Sequence, residues 1–330
     1  MVWTPARLAV TALVALAALA QFSPTHAQPY PSRPITIVVA LAAGTGADII
    51  VRTYSEKLSQ TLGRPIIIEN RPGNAGLAAV DGALKAPPDG YTLLAATSAA
   101  MAIRPSMFKK PPYDPLTDFV PISHYLKSPF VLVVNPDLPI KSVPDLIAYV
   151  KARPGKIAFS STSIGGAPHL SGEYINQRFG VEMTHVPYKI SPQAIQDVAA
   201  GHVQLTFAEA AASLSLIREG KLRALAVTSN TRLGTLPDVP PFSEASGIPD
   251  FEAVSWHMLF ARTGVPKEIV DRLHTEMTRI IATPELQTRM TSLGLIPYAP
   301  PPIAESQRYI KSEIEKWGGL VKNLGLAGTI

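Results

Sequence analysis

Short runs of consecutive apolar residues alternate along this chain with stretches in which apolar residues recur every three to four positions. Runs of the first kind read as buried strands and stretches of the second kind as amphipathic helices, so the alternation predicts a largely parallel α/β sheet flanked by helices. The opening unit is a strand over 35–39, then a helix from Asp48 to about Leu62 with Ile50, Tyr54, Leu58 and Leu62 four apart on one face. Arg52, Glu56 and Lys57 occupy the other face, and Gly63 follows the last turn, as helix stop chemistry prefers. A strand over 66–68, a turn through Glu69-Asn70-Arg71-Pro72-Gly73, a helix over 75–85 and a strand over 91–96 continue the pattern. A helix near 101–107 follows, and then a proline-interrupted, less periodic stretch over 113–125.

A second set begins with the strand over 130–134 and a helix that opens on Ser142, with Asp145 three residues on, and stops at Pro154-Gly155. Strands over 157–160, 203–207 and 223–228 and one ending near 186–189 alternate with helices over 169–179, 192–200 and 211–219. The stretch 251–261 reads as a return crossing, and helices over 267–282 and 303–324 close the chain. The expected organisation is therefore one domain over 28–127 and 253–330, with a second, over 128–252, inserted between its two parts.

Small, hydroxyl-bearing loops follow several strands. Leu41 and Ala42-Ala43-Gly44-Thr45-Gly46-Ala47 lead into the helix at Asp48, Thr97-Ser98-Ala99-Ala100 follows the strand over 91–96, and Ser161-Thr162-Ser163-Ile164-Gly165-Gly166 precedes the helix at 169. Loops with little side-chain bulk expose backbone N–H groups at helix starts, where the helix dipole also favours an anion. In open α/β sheets ligands bind beyond the carboxyl ends of the strands, so these loops form the expected binding edge. A dinucleotide is not indicated, because Gly-x-Gly-x-x-Gly fails at its last position, where Ile49 stands.

Composition changes the picture in three places. One charge, Arg7, precedes the largely apolar run 8–20, and Thr25-His26-Ala27 supplies small residues for a signal peptidase, so residues 1–27 are expected to be a secretory leader cleaved after Ala27, with a periplasmic product. The chain has no cysteine, which excludes disulfides, thiolate metal sites and cysteine nucleophiles, and no His, Asp or Glu spacing makes a convincing metal site. A net charge of +5 with scattered Lys and Arg agrees with an acidic ligand and gives no basic run for nucleic acid.

Several phrases resemble the extracytoplasmic solute receptors of tripartite tricarboxylate transporters, the Bug family. They are Tyr30-Pro31-Ser32-Arg33-Pro34-Ile35, Glu69-Asn70-Arg71-Pro72-Gly73, Pro88-Asp89-Gly90-Tyr91-Thr92-Leu93, Tyr113-Asp114-Pro115, Val133-Val134-Asn135-Pro136, Pro168-His169-Leu170, Val186-Pro187-Tyr188-Lys189 and the run from Gly220 to Thr228. The resemblance implies a two-domain Venus flytrap of the type II periplasmic-binding-protein fold. It would bind a small organic carboxylate between the domains, use no cofactor, and hand the ligand to integral-membrane transporter subunits, as a monomer. Carried over, the first-domain contacts are Leu41, Ala43, Gly44, Thr45, Asp48, Thr97, Ser98 and Ala99. The second-domain contacts are Ser161, Ser163, Gly165, Pro187, Tyr188, Lys189 and Glu209.

Departures from the family pattern bear on specificity. Ala43-Gly44-Thr45 replaces Pro-Gly-Gly, Ala100-Met101-Ala102 replaces Thr-His-Ala, and Ile190 replaces a glycine. Together with Leu41 they suggest a less polar pocket and a larger or more apolar acid, such as an aromatic one. Each candidate residue also has a plainer reading. Asp48 caps its own helix, His169 is a satisfied residue at a helix start, Lys189 is solvated, Trp256 packs the crossing as readily as it stacks on a ligand, and Glu209 is paired or wet unless it receives a ligand amine. The alternatives to a transport receptor are a ligand-sensing co-receptor for a two-component system on the same fold and, more remotely, an exported hydrolase built on Ser161 and His169. No Gly-x-Ser-x-Gly elbow surrounds that serine.

Overall fold

The computed structural model describes residues 30–330 apart from 163, 189 and 250. The expected leader and its cleavage site therefore lie outside the described residues, as do Ser163 and Lys189. Residues Arg33–Ile330 form one compact unit.

The strands are β1 (Ile35–Val39), β2 (Ile66–Asn70), β3 (Thr92–Thr97), β4 (Phe119–Val134), β5 (Ile157–Ser161), β6 (Met183–Pro187), β7 (Leu205–Glu209), β8 (Arg223–Val227), β9 (Val254–Arg262) and β10 (Ile296–Pro297). They join in the order β2-β1-β3-β9-β4-β7-β5-β6, with β8 and β10 also paired to β4. β1 runs parallel to β2 and β3, and β5 runs parallel to β6 and β7. The carboxyl ends of each set thus share an edge.

The sheet turns on the 16-residue β4. From Phe119 to Pro129 it pairs antiparallel with β9, from Phe130 to Val134 with β7, and from Val131 to Val134 with β8. The stretch 113–125, too irregular to read from pattern, contains the start of this strand. Its Pro121 sits where the β4–β9 register shifts, and Pro129 stands where the partners change, so neither missing N–H interrupts a regular ladder. Beyond that point the pleat sorts side chains to two cores. Phe130, Leu132 and Val134 join one buried cluster and Val131 and Val133 another.

The helices are α1 (Gly46–Leu62), α2 (Leu77–Lys85), α3 (Val143–Lys151), α4 (Ala167–Phe179), α5 (Ser191–Ala199), α6 (Ala210–Arg218), α7 (Phe242–Ser246), α8 (Lys267–Ile281), α9 (Pro284–Ser292) and α10 (Ile303–Asn323). In α1 the stripe Ile50, Tyr54, Leu58 and Leu62 is buried and Gly63 takes the left-handed conformation at the cap. The expected helix near 101–107 is a π-helical turn, Ala99–Ile103, followed by a 3-10 turn, Arg104–Met107. Among the described residues no helix is long and apolar enough to cross a membrane.

Candidate functional site

The loop from Leu41 to Gly46 is held by a buried carboxylate. Thr45 caps α1, its Oγ1 accepting the Asp48 N–H at 3.3 Å, while Asp48 Oδ2 accepts the Gly44 N–H at 2.8 Å. This is the reciprocal pattern of a capping box, displaced by one residue. Asn70, at the end of β2, donates through Nδ2 to Asp48 Oδ1 at 2.8 Å and to the Leu41 carbonyl at 3.0 Å, and Arg52 Nε reaches Asp48 Oδ2 at 3.0 Å. Burial by itself would raise the Asp48 pKa. The hydrogen bonds from Asn70, Gly44 and Arg52, together with the Arg52 charge, outweigh it and hold the carboxyl below its ordinary value. With its oxygens occupied and no exposed surface, Asp48 shapes the loop. Gly44 sits at φ +83°, which favours glycine, and it and Ala43 are exposed at the edge.

At the end of β3, Thr97 and Ser98 are buried and Ala99 is partly exposed. Ser98 Oγ has no hydrogen-bond partner among the described residues. Met101 is wholly buried in the core, so the replacement at that position adds nothing apolar to the loop edge, whereas Leu41 is partly exposed and Ile190 exposed.

The edge formed by β5, β6 and β7 carries the second set. Ser161 Oγ lies 2.7 Å from His185 Nε2, and the His185 ring stands 4.0 Å from that of His169, centroid to centroid. His169 Nδ1 accepts the Gly165 N–H at 2.9 Å, which leaves the proton of a neutral ring on Nε2, 3.7 Å from a Glu173 oxygen. Burial lowers both imidazoles to about 4, with the neighbouring His185 adding to the effect at His169. Both rings are therefore neutral near pH 7, and the Glu173 contact is no ion pair. Their work is to fix the Ser161–Gly165 loop, in which Gly165 adopts φ +76°. Tyr188 donates its N–H to the Ser161 carbonyl and its hydroxyl to Asp197, burial and that carboxylate raising the phenol to about 12, and Pro187 is exposed. Glu209 ends β7 on the same edge.

The two edges meet. A Cβ built on Gly46, at the start of α1, would stand 3.7 Å from the Ala211 Cβ in the first turn of α6, and one on Gly165 only 2.2 Å from Met107 Sδ. Gly294 likewise approaches Ala210, where a Cβ would stand 2.9 Å from that side chain. The loops after β1 and β3 thus face those after β5 and β7 at close range.

Trp256 lies elsewhere. It is fully buried on β9 and its indole N–H goes to Glu313 Oε2 at 3.0 Å, an oxygen that also accepts from Trp317 at 2.9 Å. A separate crevice of about 450 Å³ runs between α4 and α10 past Leu170, Tyr174, Phe251, Trp317 and Leu320. Its walls are faces of α4 and α10 and the loop that leads into β9, with no loop that follows the carboxyl end of a strand, so it is not the counterpart of the facing edges. Sequence reasoning passed over Asn70, His185 and Met107. Asn70 was within reach, since it stands in the Glu69–Gly73 phrase, but the other two gain meaning only from contacts made across the fold.

A model of the tripartite tricarboxylate transporter family receptor matches residues 50–326. The chain belongs to this family. BugT of Bordetella pertussis is 35% identical over 304 residues, covering 92% of this chain and 93% of that protein. Among solved structures, Rpa4515 of R. palustris with adipate superposes with a TM-score of 0.81 at 34% identity, covering 90% of this chain and 99% of the other. MatC of Rhodopseudomonas palustris with bound malate does so with a TM-score of 0.76 at 29% identity, covering 88% and 100%. The tripartite tricarboxylate receptors are periplasmic solute-binding proteins that take carboxylates, not enzymes. The Ser161–His185 contact accordingly belongs to a receptor loop.

Proposed function

We propose that this receptor closes two lobes, 28–127 with 253–330 and 128–252, on a small organic carboxylate held between the facing strand ends, and delivers it to membrane transporter subunits. The observation that carries the reading is the approach of Gly46 to Ala211 and of Met107 to Gly165, which sets two groups of small-residue loops against each other. Short loops at helix starts present preorganised N–H groups, and a ligand touching both lobes selects the closed form because only there does it contact both. The neighbours' adipate and malate support an aliphatic acid as the minimal ligand. Leu41 and Ile190 at the edge favour one with a larger apolar portion. Calorimetric titration of the full chain with succinate, malate, adipate, benzoate and phenylpropionate tests this, the expected result being one-to-one binding of at least one acid, tightest for one with an apolar portion. Tight binding of succinate or malate with none of the larger acids would reject the apolar preference. Loss of uptake on deletion of the gene tests delivery.

A further inference from the structure

The facing edges differ in hydrogen-bonding character. The first offers donors at the exposed loop around Gly44 and the start of α1, with the buried, unpartnered Ser98 hydroxyl at the end of β3. The second carries a carboxylate whose position is unusual. Glu209 closes β7 opposite Phe130 of β4 and immediately precedes α6, whose Ala211 faces Gly46 at the start of α1. Its backbone carbonyl accepts from Ser213 Oγ at 3.1 Å, but its carboxylate has neither a hydrogen bond nor an ion pair with any described residue. The residue keeps partial surface exposure although the surrounding protein desolvates it enough to raise its pKa, a combination that fits a side chain on the wall of an enclosed space.

A carboxylate in that position works against an anionic ligand. It repels the ligand's charge, and it is left desolvated without compensation once the lobes meet. A ligand that brings its own cation to this point removes both penalties.

Building on the receptor reading above, we propose that Glu209 is a specificity residue that accepts the ammonium of a zwitterionic ligand, an amino acid, while the donors of the opposite edge hold the ligand carboxylate. The ligand lies across the cleft with its two ends matched to the two edges. The apolar character of Leu41 and Ile190 sets the remaining side chain toward leucine-like or aromatic amino acids rather than acidic ones.

The test titrates the full chain, dialysed free of co-purified solute, with matched pairs that differ by the amino group: isocaproate and L-leucine, phenylpropionate and L-phenylalanine, succinate and L-aspartate. The expected result is at least tenfold tighter binding of the amino member in one pair. Glu209→Gln should abolish that preference while leaving the deamino acid bound as well as before or better. Because the substitution removes an unpaired carboxylate, the ligand-free variant should melt no lower than the parent. Equal or tighter binding of the deamino acids by the parent chain overturns the inference and leaves the receptor reading standing, and so does a marked drop in melting temperature for ligand-free Glu209→Gln. Binding of no member of either series counts against the carboxylate receptor itself and takes the inference with it.

Discussion

Replacing Asp48 separates a residue that shapes the binding loop from one that touches the ligand. In Asp48→Ala the Gly44 N–H and the Asn70 amide lose an acceptor in a site with no exposed side-chain surface, whereas Arg52, about half exposed, regains water. A hydrogen bond to a charged group contributes about 1.5–3 kcal/mol, and water reaching the exposed Gly44 and the half-buried Asn70 recovers part of it, so a loss of roughly 2–4 kcal/mol is expected. At about 2–4 °C per kcal/mol for a chain somewhat smaller than this one, thermal unfolding should fall by roughly 5–10 °C. Asp48→Asn keeps one oxygen for Asn70 but sets an NH2 against the Gly44 N–H, and should lose about half as much. Ligand affinity, measured by calorimetry on the same samples, should fall with stability, because the loop that presents its N–H groups is no longer pinned. An Asn variant that melts with the parent yet fails to bind would contradict the reasoning, since it would make Asp48 a ligand contact.

Acid should act in two windows. His169 is held neutral, so its contribution is complete above its ordinary value of 6.5 and declines as pH falls toward about 4, by about 2 kcal/mol near pH 5. Denaturant titrations at pH 7 and 5 measure this, and His169→Gln should reduce the difference by about that amount, leaving the part that His185, lowered to about 4 as well, supplies. Asp48, whose pKa is depressed, keeps its contribution above 3.8 and loses it only as pH falls through its lowered value. Gly165→Ala should weaken binding several-fold, because alanine resists φ +76° and its Cβ meets Met107, and Met107→Ala should restore the steric part in a double-mutant titration. Trp256→Phe should lower the melting temperature, since Glu313 loses one of its indole donors, with ligand affinity unchanged by calorimetry.

Much of the fold was legible because period and punctuation agreed. The stripe of α1 and its terminal Gly63, the apolar runs of β1, β5 and β8, and the Ser142 cap of α3 are local signals that packing did not override. The start of β4 was not legible, since Pro121 and Pro129 argue against a strand unless a register shift and a change of partners are known. α9 was missed because its sequence is mostly polar, with Leu286 and Met290 as its buried residues. At the site, the loops could be found from small residues after strands, but side-chain direction could not. Trp256 turns inward because Glu313, 57 residues away, takes its N–H, and Ser161 meets His185 rather than His169 because β5 and β6 run parallel.

Hydrogen exchange of the full chain with and without the tightest-binding acid tests the facing-edge account most directly. Amides at 44–48 and 98–101 should gain protection together with those at 164–167 and 209–212, since one ligand bridges both edges. Protection confined to one edge, or appearing instead along the α4–α10 crevice, would contradict it.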